Sequence, residues 1–158
     1  MGKNIMKIDD ITTRRLVEKD IHKVFEIAKI SLFEKGITNI KDDILITTLK
    51  QSLVRKFENF DFGLFKMNTL IGYTFTTIGQ LAYEDEGFAR VDNIYLLPEF
   101  RTEANYVKLL KALVKQMDAI GIKDIKTSDS WTLCNDCEVF SRTIEYLGKP
   151  NTIYRILT

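Results

Sequence analysis

Residues 89–106 read ARVDNIYLLPEFRTEANY, and the way this stretch folds decides the rest of the chain. From Ala89 to Leu97 aliphatic, β-branched and aromatic side chains crowd together as in a strand, and Pro98 stops it. A charged loop follows and opens into an amphipathic helix beginning near Asn105. Val107, Leu110, Val114 and Met117 mark its buried face, widened by Leu109 and Leu113. Gly121 closes that helix, and Ile122 to Ser128 has the composition of another strand, which a helical crossover makes parallel to the first. The turn into the helix is a place for an anion. First-turn N–H groups lack carbonyl partners and the helix dipole adds partial positive charge, so phosphate is the natural occupant.

Working outward, Ile11 to Leu16 is β-capable, and Glu18 to Lys35 carries Ile21, Val24, Phe25, Ala28 and Leu32 on one helical face, with Gly36 as the stop. A second helical pattern runs from about Lys41 to Phe57, with Leu45, Leu49, Leu53 and Phe57 in one row and Asp42 and Asp43 favouring its start. Phe62 to Met67 and Leu70 to about Tyr83 then alternate as strands around an Asn68-Thr69 hairpin turn, and Phe88 to Leu97 continues the meander. Past the central unit, Asn135 caps a further helix that Gly148 and Pro150 end, and Thr152 to Leu157 makes a last strand. The order is β-α-α-β-β-β-α-β-α-β, a mixed α/β domain spanning 1–158.

Composition limits the function classes. Lys and Arg number 23 against 22 acids, and this net charge of +1 excludes a strong global electrostatic case for nucleic acid or an acidic membrane. No apolar run approaches a membrane span and the N-terminus has no signal-like h-region, so a cytoplasmic location is expected. Cys134 and Cys137 form C-x-x-C at a helix start, which lowers a thiol pKa. Zinc would need two more ligands and the only histidine, His22, lies on a distant helix, so no metal site is expected. His22 is placed at an exposed rim.

The run Ala89-Arg90-Val91-Asp92-Asn93-Ile94-Tyr95-Leu96-Leu97-Pro98-Glu99-Phe100-Arg101 resembles, without a gap, the strand and Pro-Glu-aromatic-Arg pattern that precedes the CoA loop of the GNAT superfamily, the acyl-CoA-dependent N-acetyltransferases. The opening ITTRRLVEKDIHKVFEIA and the closing EYLGKP support the likeness, which spans nearly the whole element order. It implies a twisted mixed sheet whose fourth and fifth strands splay apart to admit the pantetheine arm. It also implies acetyl-CoA as cosubstrate and a primary amine as acceptor. Backbone groups of Tyr95, Leu96 and Leu97 would meet the pantetheine. The loop Arg101, Thr102, Glu103, Ala104, Asn105 and Tyr106 would hold the pyrophosphate, with Asn135 also on the cofactor. Asp92 would be the base that takes the amine proton.

The chain departs from the family pattern at two places. Where that loop normally carries glycines, which let backbone approach a phosphate, this one has Ala104 and Tyr106, and Glu103 adds a like charge. The family's thiolate-protonating Tyr, counted back from Leu147-Gly148, falls on Ile144, which has no proton to give. Tyr146, two positions later and about 200° round a helix, is the remaining candidate acid. Plain structural readings stand beside these roles. Asp92 pairs with Arg90, Arg101 pairs with Glu99 or Glu103, Tyr95 and Tyr106 are core aromatics, Trp131 anchors a loop, and Lys108, Lys111 and Lys115 form a solvated face that would also raise the potential near a CoA phosphate. Two functions are open. One is acetyl transfer by direct attack. The other is a catalytically inactive GNAT-fold module with a decayed CoA site that serves protein binding or assembly. Under either reading, Thr152 to Leu157 is an edge strand that offers a ladder to a homodimer partner.

Overall fold

In the computed structural model of the protein, residues 10–54, 60–79, 87–122 and 124–127 are described. In chain order the elements are β1 (Ile11–Arg15), α1 (Ile21–Glu34), α2 (Asp42–Val54), β2 (Phe62–Lys66), β3 (Thr69–Gly79), β4 (Phe88–Leu96), α3 (Glu103–Ala119) and β5 (Asp124–Thr127). The five strands lie in sequence order, β1 to β4 antiparallel and β5 parallel to β4. This is the expected meander followed by a parallel step. The expected last helix and last strand fall outside the described residues.

Alternation along the strands divides the core into two layers. Phe62, Leu64, Ile71, Ala89, Val91, Ile94 and Leu96 face α3 and pack on Tyr106, Leu109, Leu110, Leu113 and Met117. The opposite face, with Phe65, Leu70, Tyr73 and Tyr95, packs on Val24, Phe25, Ile27 and Ala28 of α1 and Leu49 and Leu53 of α2. The sheet is the middle layer of three.

Three local expectations shift. The helix after the central loop begins at Glu103, with Thr102 as N-cap, rather than near Asn105. Its buried face consequently includes Asn105 and Tyr106, whereas Val107 is only half-buried. The hairpin turn is Met67-Asn68, one residue earlier than expected, and Met67 takes a φ of 57° there. A side chain in that left-handed region is strained, and the turn tolerates it because Lys66 and Thr69 close the ladder on either side.

The sheet contains one close approach that glycine alone permits. A Cβ on Gly72 would stand 2.2 Å from Leu96 Cδ2 and 2.7 Å from the Tyr95 carbonyl oxygen. The end of β4 thus lies directly on β3 with the Leu96 side chain filling the gap.

At the start of α1, the buried Asp20 carboxylate accepts from both Arg14 nitrogens at 2.8 Å and from the Val17 N–H at 2.9 Å. The Arg14 guanidinium holds this carboxyl below the usual carboxylate range. It ties the first strand to the first helix.

Candidate functional site

The β3–β4 ladder pairs Thr76 with Val91 and Phe75 with Asn93, so Asp92 is an extra residue, a β-bulge. The bulge puts Asp92 and Asn93 on the same face, toward α1 and α2, while Val91 and Ile94 both stay on the α3 side. Arg90 Nε and Thr77 Oγ1 each donate to the Asp92 carboxylate at 2.5 Å, and its side chain keeps 32% exposure. The expected pairing of Asp92 with Arg90 is therefore present. Asn93 lies beside it, bonded to the buried Tyr73 hydroxyl, which also bonds Ser31 of α1.

In the described residues, Phe88 to Val91 of β4 pair with Asp124 to Thr127 of β5. Beyond Val91, β4 runs on through Ile94 and Leu96, whose backbone groups alternate toward the β5 side. The Leu96 carbonyl accepts from Arg101 Nε at 2.9 Å. The Leu97 N–H donates to the Ile71 carbonyl at 2.9 Å, on the β3 side, so it does not face a ligand between β4 and β5.

In the turn after β4, Pro98–Phe100 makes a short 3-10 turn, and Asn105 Nδ2 donates to the Phe100 carbonyl at 2.8 Å. The Thr102 hydroxyl caps the helix by accepting from Asn105 N–H at 3.3 Å, and Tyr106 N–H donates to the Thr102 carbonyl at 3.1 Å. This leaves the N–H groups of Glu103 and Ala104 as the first-turn donors without an intrahelical acceptor. Asn105 is thus a strut of the turn and Tyr106, 1% exposed, belongs to the α3 core.

Arg101 does not pair with Glu99 or Glu103. Its Nη2 donates to Glu34, the last residue of α1, at 2.6 Å, and the Tyr95 hydroxyl donates to the other Glu34 oxygen at 2.6 Å. The guanidinium lies 5.2 Å from the Tyr95 ring centroid. Desolvation alone would lower the Arg101 pKa, but the bond to Glu34 and its charge outweigh this and raise it. Burial first, and then Glu34, push the Tyr95 hydroxyl up as well.

A second carboxylate lies on the same face. Asp61, 3% exposed, accepts from Ser52 Oγ of α2 at 2.8 Å and from the Thr76 N–H at 3.3 Å. Burial pushes it up to about 7, against the pull of these bonds and of Arg15 and with a further push from Asp92. Sequence reasoning missed Asp61, although an acid between Phe60 and Phe62 in an apolar strand was a visible signal. Glu34 carried no signal, being one acid among many on a helix end.

Of the remaining expected residues, Lys108 Nζ donates to the Ile11 carbonyl of β1 at 3.1 Å, while Lys111 and Lys115 are exposed. His22 is exposed, as expected. Asn135, Ile144, Tyr146, Trp131, Cys134 and Cys137 lie outside the described residues.

No protein-family model matches the chain, and no curated protein does. Solved structures do. An aminoglycoside acetyltransferase from an uncultured soil metagenomic sample, in complex with sisomicin, is 17% identical with a TM-score of 0.69, over 85% of this chain and 86% of that one. A predicted acetyltransferase with acetyl-CoA from Clostridium acetobutylicum is 19% identical, TM-score 0.67, over 87% and 88%. The aminoglycoside N-acetyltransferase AAC(6')-Iy in complex with CoA is 15% identical, TM-score 0.69, over 91% and 90%. At these identities the likeness is one of fold, and the fold is the one expected of a GNAT acetyltransferase.

Proposed function

We propose that this chain is an N-acetyltransferase that moves an acetyl group from acetyl-CoA to a primary amine by direct attack. The single observation that carries this reading is the bulge at Asp92. It presents a partly exposed carboxylate on the α1 and α2 face of the sheet, in a fold shared with acetyltransferases that hold CoA or acetyl-CoA.

The residues fit a thioester donor along β4. Ile94 and Leu96 would offer backbone groups toward the β5 side, and the amides of Glu103 and Ala104 would receive an anion at the start of α3. Acetyl-CoA supplies an activated acyl group on a good leaving thiolate. Asp92 accepts the ammonium proton of the acceptor, directly or through one water, so that a neutral amine attacks. Arg90 and Thr77 fix the carboxylate for that transfer. The Leu96 N–H would polarise the carbonyl, that of Leu97 being engaged by the Ile71 carbonyl. Tyr146 would give its proton to the leaving thiolate. The acceptor approaches from the α1 and α2 face. That two similar structures are aminoglycoside acetyltransferases supports an amine as acceptor.

A thermal-shift titration with acetyl-CoA tests the first half, since a ligand that binds only the native state raises the midpoint. Thiol release with a panel of amines tests the second. Asp92→Asn is expected to keep the shift and to lower turnover about 10²- to 10⁴-fold. No shift at millimolar acetyl-CoA ends the enzymatic reading and returns the chain to the inactive-module reading.

A further inference from the structure

We infer that Glu34 is a built-in competitor for the Arg101 guanidinium, so that the phosphates of an incoming CoA must win Arg101 away from α1. The inference rests on the acetyl-CoA reading above and concerns how tightly that ligand is held.

Glu34 sits where a carboxylate is electrostatically unfavourable. It is the last residue of α1, at the negative end of the helix dipole, and the last turn of α1 has no basic residue of its own. It is kept there by two short bonds from outside the helix, Tyr95 Oη and Arg101 Nη2, both at 2.6 Å. Arg101 is equally committed. One nitrogen is on Glu34, another on the Leu96 carbonyl at 2.9 Å, the ring of Tyr95 is nearby, and only 14% of its side chain is exposed. The cation nearest the start of α3 in sequence is therefore already neutralised.

Without it, the described residues of the α3 turn offer little to a diphosphate. Two first-turn amides remain, and the Glu103 carboxylate in the same turn opposes an anion. A phosphate gains the charge-assisted bond of Arg101 only by displacing Glu34. Displacement leaves Glu34 at the C-terminal end of α1 with Tyr95 alone, on the face where the acceptor enters. The two ligands would thus be linked through one carboxylate.

The test is calorimetric titration of the full chain with CoA and with pantetheine, which lacks the phosphates. The proteins are wild type, Glu34→Gln, Arg101→Ala and the double variant, with Glu34→Ala as a second removal of the charge. Each is first checked for a native thermal transition. Glu34→Gln keeps the bond to Tyr95 and removes the charge. Tighter CoA binding by about three- to tenfold, no change for pantetheine, and loss of the gain in the Arg101→Ala background is the expected result. CoA binding only after Glu34→Gln supports the inference in its strongest form. Unchanged or weaker CoA binding in Glu34→Gln and Glu34→Ala overturns it, as does a gain that survives Arg101→Ala, and both leave the acetyl-CoA reading standing. No binding of CoA by any of the proteins overturns the acetyl-CoA reading and the competition with it.

Discussion

The two faces of the sheet are built from the same strands and differ in kind. Toward α3 the side chains are almost all apolar, and Leu109, Leu110, Leu113 and Met117 have no exposed surface. Toward α1 and α2 a smaller apolar cluster shares the face with Asp61, Ser52, Tyr73, Ser31, Asn93, Asp92, Tyr95 and Glu34, tied by side-chain bonds. Burial of apolar area is non-directional and holds one face. Directional bonds, costly to leave unmade, hold and orient the other. The contrast separates residues that keep the sheet together from residues able to act on something.

Three changes break or sharpen this division. The largest effect belongs to the apolar face. Leu113→Ala removes a fully buried side chain and should cost about 2–5 kcal/mol in chemical denaturation, while the specific activity of the folded fraction stays unchanged. A loss of activity per folded molecule would show that the two faces are not separable.

The next is Asp61→Asn. The carboxyl titrates at about 7 when folded against 3.8 in the reference state, so the folded protein holds a proton that the unfolded chain has released. Its contribution is fully present below pH 3.8 and is lost as the pH rises through about 7. Asparagine keeps an acceptor for Thr76 and a group for Ser52 but carries no charge. The variant should match the wild type near pH 4 and exceed it by on the order of 2–4 kcal/mol at pH 8. Parallel pH–stability curves for the two proteins would contradict the buried carboxyl.

The smallest effect tests the one blemish on the apolar face. The hydroxyls of Thr74 and Thr76 are fully buried without a hydrogen-bond partner among the described residues. Thr74→Val, nearly isosteric, should stabilise by about 1 kcal/mol. Destabilisation instead would reveal a partner for that hydroxyl and a polar contact within the apolar face.

What could be read beforehand follows from how local the cause is. Helical spacing of Val24, Phe25 and Ala28, or of Leu49 and Leu53, named the right buried rows because the cause is a period of 3.6 residues. On α3 the expected Leu109, Leu110, Leu113, Val114 and Met117 are buried, while the helix starts two residues early, so that Asn105 and Tyr106 join the face and Val107 is half-buried. The cause was a threonine cap that Thr102 had already signalled. The bulge was also present in the sequence. Ala89 and Val91 are buried at odd positions and Ile94 and Leu96 at even ones, and such a slip of phase needs an extra residue between them. The bond between Glu34 and Arg101 joins residues 67 apart, and no pattern along the chain encodes it.

The contact of Gly72 with Leu96 and Tyr95 also bears on how this protein can change over time. Any side chain at position 72 meets a backbone oxygen of the neighbouring strand, which cannot rotate away. Trimming Leu96 would relieve only half of the collision. A randomised library at codon 72 selected for a folded product should return glycine alone, and the tolerated spectrum there would be set by β4 rather than by β3.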